Sequence, residues 1–149
     1  MNQQSAGLCA DQAEATWETM HICAASFPDA IRTLRLRIME FFSASLFSQE
    51  DLSDMEIAVG EACSNAIRHG SPRGGLDEVN AKCMRNEHTL IVEILDNGHG
   101  FDPNSVAVPQ LERCAEDGMG IFLMRSLIDE VEFTFGPGTT VRLVKHRRN

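Results

Sequence analysis

The apolar residues change period several times along the chain, and each change marks an element. Residues 16–26 alternate, with Trp17, Met20, Ile22 and Ala24 among the apolar positions, which predicts a strand. Pro28-Asp29 then opens a helix, because proline suits a first-turn position and Asp29 the positive end of the helix dipole. Ile31, Leu34, Ile38, Phe41, Phe42 and Leu46 continue it at helical spacing, with Arg32, Arg35 and Arg37 mostly on other faces. Residues 48–53 break the pattern and offer Ser48 or Ser53 as the N-cap of a second helix ending near Gly70. On that helix Met55, Ala58, Val59, Ala62 and Ala66 form an apolar stripe, as expected for a helix lying on a sheet.

Residues 70–78 are turn chemistry throughout. Two strands follow, 79–85 and 89–95, joined by Asn86-Glu87-His88 as a hairpin loop; the second is almost continuously apolar, as a central strand would be. Residues 101–117 form the longest irregular piece, of a length typical of lids and binding loops. A third helix is expected at 120–129, and strands 130–135 and 139–145 close the chain around Gly136-Pro137-Gly138. Strands joined by hairpins and helices in groups give an α+β two-layer sandwich, with a mixed, mostly antiparallel sheet covered by helices on one face. Residues 1–15 read as a flexible lead-in and 16–149 as a single domain.

Composition narrows the function. The 149 residues are 43% apolar and 23% charged, ordinary for a globular chain, and the formal charge is −9. That charge argues against direct nucleic-acid binding and against an anionic membrane surface. No apolar run approaches the ~20 residues of a membrane span, and the polar first 15 residues lack a basic signal region, so a cytoplasmic location is expected. Cys9, Cys23, Cys63, Cys83 and Cys114 are scattered and form no CxxC, so they read as core or surface residues and not as a metal site.

Three segments carry candidate chemistry. Glu61, Asn65 and His69 recur at i, i+4 and i+8 along one edge of the apolar stripe, offering oxygen ligands and a base to a cleft. Mg²⁺ takes hard oxygen donors and keeps waters and substrate phosphates, in keeping with one amide oxygen from Asn65, while Glu61 could accept a proton. Asp96 ends the buried strand ahead of Gly98 and Gly100; an acceptor-only carboxylate there selects an N–H donor such as a purine amine, and glycines let backbone approach the base. Gly118-Met119-Gly120 sits where a loop enters a helix, so backbone N–H groups and the helix dipole would face an anion.

ExxxNAxxH, then DxGxG, then GxG leading into a Leu/Met-rich helix, then GTT in the last strand form an ordered series. The series resembles the GHKL ATP-binding superfamily, which includes gyrase and the histidine kinases. It is most similar to the bacterial anti-sigma factor serine/threonine kinases. The residues that carry the resemblance are Glu61, Asn65, Ala66, His69 and Gly70; Asp96, Gly98 and Gly100; Gly118, Met119, Gly120 and Leu123; and the tail from Gly138 to Leu143.

The resemblance implies ATP and Mg²⁺ as cofactors and assigns roles. Glu61 would be the general base toward a protein serine or threonine, Asn65 the Mg²⁺ ligand, and Asp96 the partner of the adenine amine, supported by the Thr139 hydroxyl. Gly118 and Gly120 would hinge a lid over the triphosphate, with His69, Gly98, Gly100 and Met119 also on the nucleotide side. It further implies a homodimer that sequesters a sigma factor and phosphorylates a STAS-type anti-anti-sigma partner. The family lid often carries a basic residue just before its GxG; here Glu116 and Asp117 stand there, and Arg113 is the nearest cation. A second reading is therefore a non-catalytic module whose partner affinity is switched by ATP. The ATP-binding half of a histidine kinase fits less well, since no histidine begins an H-[DE]-x-x-[NT]-P string.

Overall fold

The structure is a computed structural model that describes residues 15–97 and 116–148. Strand β1 (Glu18–Ala25) leads into α1 (Asp29–Ser43) and α2 (Gln49–His69), followed by β2 (Glu78–Arg85), β3 (Thr89–Leu95), α3 (Glu116–Leu127), β4 (Glu130–Phe135) and β5 (Thr139–His146). The strands form one sheet in the order β1-β2-β3-β5-β4, antiparallel at every pairing among the described residues. The expected mixed sheet is thus wholly antiparallel there, because each neighbouring strand pair but one is a hairpin or follows a helix pair that returns the chain alongside.

Local chemistry accounts for the helices. Ser48, in extended conformation, caps α2 by accepting a hydrogen bond from the Asp51 amide at 3.1 Å, which decides between the two expected caps. Glu50 and Asp51 then lie in the first turn and Arg68 and His69 in the last, both matched to the helix dipole. Helix α1 buries Ala30, Leu34, Ile38 and Phe42, one face at helical spacing. Helix α2 buries Leu52, Met55, Ala58, Val59, Ala62, Cys63 and Ala66. Its three alanines let the backbone lie close to Val79, Ala81, Val92, Ile94, Val141 and Leu143 of the sheet. Burial of each large aliphatic side chain here contributes about 1.5–3 kcal/mol.

The other face of the sheet is polar. Across it, register aligns His21 of β1 with Lys82 of β2, Glu93 of β3, Arg142 of β5 and Glu132 of β4. Arg142 Nε lies 3.4 Å from Glu93 Oε1. Beside this row Ile91 and Val144 face each other across β3 and β5, are buried, and stand outside the main core cluster.

One buried charge cluster was not apparent in the sequence. Lys145, with no exposed surface, donates from Nζ to Asp54 Oδ2 at 3.1 Å and to the Leu127 carbonyl at 2.7 Å, with Asp51 Oδ1 at 3.7 Å. It joins the start of α2, the end of α3 and the last strand. Arg148 adds a longer contact to Asp51, 4.0 Å from Nε to Oδ1. The cysteines divide as expected: Cys63 and Cys83 are buried, and burial pushes both thiols up to about 12. Cys23 is exposed, with its thiol raised by desolvation first and then by the hydrogen bond and charge of Glu78.

Two outcomes follow. Lys145→Met leaves two carboxylates without their buried cation, so urea unfolding is expected to show a loss of about 3–5 kcal/mol. Alkylation of the folded protein near pH 8, mapped by mass spectrometry, is expected to modify Cys23 and to spare Cys63 and Cys83 until denaturant is added.

Candidate nucleotide site

The site is built where α2 ends against the sheet. Ala62, Asn65 and Ala66 from α2, Ile94 and Asp96 from β3 and its end, Met124 from α3, Phe133 from β4, and Thr139 and Val141 from β5 line one cavity. Its enclosed space is about 10 Å³, room for about one water molecule. Its walls are mainly apolar and its few polar groups converge, the usual make-up of a small-molecule site.

Those polar groups are unusual in their bonding. Among the described residues three buried side-chain polar atoms have no hydrogen-bond partner; Asn65 Nδ2 and Thr139 Oγ1 lie on this cavity, and the third, Arg35 Nε, does not. Buried polar atoms are nearly always satisfied, so two orphans on one cavity indicate a ligand that supplies the missing bonds. Asp96, 8% exposed, accepts from the Thr139 amide at Oδ1, 3.2 Å away, and its own amide donates to the Thr139 carbonyl at 3.0 Å. A carboxylate has about four acceptor positions, so an N–H donor from a ligand can be added.

Glycines hold Asp96 in place. A Cβ built on Gly70 would run into the Asp96 carboxylate, and one on Gly138 into the Asp96 carbonyl oxygen. The Gly70 carbonyl also accepts from the Asn97 amide at 3.1 Å, tying the end of α2 to the end of β3. The turn after α2 is closed by Asp77, which accepts from the Arg73 amide at 2.7 Å and from Arg73 Nε at 2.8 Å. The Arg73 amide, with its guanidinium adding, holds this carboxyl below the usual carboxylate range against the opposing effect of burial.

Glu61 lies one turn before Asn65, half-buried and outside the cavity lining, against the backbone of α3 at Gly120. His69 ends α2 with its side chain exposed and does not line the cavity. Helical geometry explains this: eight residues accumulate about 80° of rotation relative to Glu61, four only about 40°. Met119 is 39% exposed on α3. Gly98, Gly100 and Arg113 lie outside the described residues.

The third segment differs from expectation in one respect. Helix α3 begins at Glu116, not Gly120, so Gly118 falls among the first four residues whose amides lack an intrahelical acceptor, and Gly120 does not. The end of α3 with unpaired amides is therefore residues 116–119. Ile94, Met124, Phe133 and Val141 form the apolar walls, on strands and a helix that the sequence predicts, and of these only Val141 falls within the residues that carry the resemblance. Their parity with buried strand and helix positions was the available signal.

Whether Mg²⁺ suits the site can be judged from its donors. Among the described residues no cluster of three or more His, Cys, Asp or Glu could cage a metal. A single amide oxygen from Asn65 fits an ion that completes its shell with waters and phosphate oxygens. No helix among the described residues is long and apolar enough to cross a membrane.

Comparison with known proteins agrees with this geometry. The histidine kinase-like ATPase domain matches residues 24–145. The serine-protein kinase RsbW of Bacillus pumilus is 33% identical over 129 residues, covering 79% of this chain and 79% of that protein. RsbW of Bacillus licheniformis is 30% identical over 126 residues, with the same two coverages. Among solved structures, the RsbU and RsbW domains of a Mycobacterium tuberculosis protein superpose with a TM-score of 0.66 at 20% identity, over 89% of this chain and 33% of that one. The SiaB–SiaC complex of Pseudomonas aeruginosa gives 0.55 at 11% identity, over 85% and 89%. An antiparallel sheet under three α-helices among the described residues, with a mainly apolar cavity that carries a few polar groups at the end of α2, is thus accounted for by descent as well as by chemistry: the chain belongs to the histidine kinase-like ATPase domain family, on its RsbW-type serine-protein kinase branch.

Proposed function

We propose that the protein is an ATP-dependent, Mg²⁺-requiring serine/threonine kinase that also acts as an anti-sigma factor. The observation that carries this reading is the pair of orphaned buried polar atoms, Asn65 Nδ2 and Thr139 Oγ1, on the cavity that Asp96 lines. Asp96 receives the adenine amine, and Thr139 supports that contact through its hydroxyl. Asn65 would hold Mg²⁺ through its amide oxygen, and the ion would supply charge neutralisation at the phosphates. The first turn of α3, with Gly118 and Met119, offers amides to the phosphates, and Gly98, Gly100 and Arg113 complete the nucleotide side.

Glu61 then stands on the side of the site where an acceptor hydroxyl would approach. Its carboxylate takes the hydroxyl proton as the oxygen bonds to the γ-phosphorus and the bond from that phosphorus to the ADP oxygen breaks. In such a transfer the protein contributes positioning and electrostatics more than covalent chemistry. The acceptor is a serine or threonine of a STAS-type anti-anti-sigma protein, the sequestered partner is a sigma factor, and the working form is a cytoplasmic homodimer. Residues 16–149 act as one ATP-binding unit, preceded by a lead-in. The relatives at 30% and 33% identity named as serine-protein kinases support the reaction class. The acidic Glu116 and Asp117 favour a second reading, an ATP-switched binding module without transfer.

Incubation of the purified protein with labelled ATP, Mg²⁺ and STAS proteins separates the two readings: label moves to a partner in the first and to none in the second. Glu61→Gln is expected to keep ATP affinity and to slow transfer by about 10²–10⁴-fold; equal phosphorylation by both proteins removes the base assignment. Asp96→Asn is expected to weaken ATP by roughly ten- to a hundredfold and to erase its advantage over GTP in competition titrations.

A further inference from the structure

Gly120 stands out among the glycines of the helices. It is buried in the second turn of α3. A Cβ built on it lies 2.6 Å from Glu61 Oε2, 3.5 Å from Glu61 Cδ and 3.8 Å from Asn65 Nδ2. A Cβ on Gly60, in the middle of α2, meets nothing nearer than Arg35 Cδ at 3.8 Å, an ordinary contact. The end of the Glu61 side chain therefore occupies the volume that any other residue at 120 would fill.

We propose that Gly120 is a positioning residue for the Glu61 carboxylate. With no side chain of its own, it lets the carboxylate rest on the backbone of α3, and α3 thereby fixes where the acid points. This rests on the reading of Glu61 as the base. It departs from a hinge role for the glycine, since Gly120 lies inside the helix and its amide is past the four unpaired ones. A glycine inside a helix costs about 1 kcal/mol relative to alanine, so its presence there needs a reason that local propensity does not supply. The seat is that reason. It also couples the two ends of the reaction: the same α3 whose first amides face the phosphates holds the group that takes the acceptor proton.

The hinge and the seat separate experimentally. Gly120→Ala is expected to lower kcat for partner phosphorylation by roughly 100-fold, as a misplaced catalytic group does, with the KM for ATP and the Kd for ADP within about twofold of the parent. Glu61→Asp, one methylene shorter, slows transfer by itself. In the Gly120→Ala background the shorter acid clears the new methyl, so the double variant is expected to be no slower than Glu61→Asp alone. Additive losses, an unchanged kcat in Gly120→Ala, or nucleotide affinity falling in step with kcat would each overturn the seat.

A readout independent of transfer keeps the test decisive if the kinase reading fails. In protein labelled at the glutamate carboxyl carbon, Gly120→Ala is expected to move the Glu61 resonance and leave that of Glu56 in place. Should Gly120→Ala not fold, the reverse experiment remains: Glu61→Ala is expected to shift the Gly120 amide signal and not that of Gly136. Unmoved signals in these spectra refute the contact whatever the enzymatic result. Moved signals without any labelled partner retain the seat and discard the base.

Discussion

The functional end of this molecule depends on side chains being allowed to touch backbone. Gly70 and Gly138 close on Asp96 from two directions, and Gly120 receives Glu61. In each case a Cβ would occupy space already taken by a carboxylate or by its own main chain. Close-packed interiors have little room to relax, so these absences locate the acidic groups as firmly as hydrogen bonds do. The alanines of α2 extend the same logic along the helix: Ala58, Ala62 and Ala66 bring it near enough to the sheet for Asn65 and Thr139 to share one cavity.

That closeness has an energetic counterpart. Two buried polar atoms without partners cost about 1–3 kcal/mol each, and a fold tolerates this where a ligand returns the bonds. Elsewhere among the described residues one further buried side-chain polar atom lacks a hydrogen bond, Arg35 Nε, 3.9 Å from Glu56 Oε1. Lys145 finds two carboxylates and a helix-terminal carbonyl, and Asp77 finds the amide and guanidinium of Arg73. The cavity is where two unpaired polar atoms come together, which sets it apart from the satisfied Lys145 and Asp77 clusters.

Much of this could be read from the chain. The stripe of α2 had strong periodicity, and the nearly unbroken apolar run of β3 marked a central strand; both lie where expected. Asn65 and Asp96, singled out by residue type and position, and Thr139, by the resemblance, line one cavity. His69 was less legible, because spacing of eight drifts around the helix and carries its side chain off the cavity. Lys145 was missed: a charged residue near a strand end reads as solvated, although it shares parity with the inward Val141 and Leu143. The start of α3 was placed four residues late, since glycine is a poor helix former and the surrounding tertiary packing overrides that preference.

The polar face of the sheet has a consequence for how the chain finds its pairing. His21, Lys82, Glu93, Arg142 and Glu132 stand in one line, with opposite charges adjacent through its centre. A slip of two residues would keep every apolar side chain on the correct face, so the core alone discriminates poorly against it. It would, however, set Glu93 and Arg142 opposite uncharged neighbours, forfeiting a few tenths to ~1 kcal/mol per pair. The line thus acts as a vernier, worth little to the finished molecule and more to the choice among near-equivalent alignments while strands assemble.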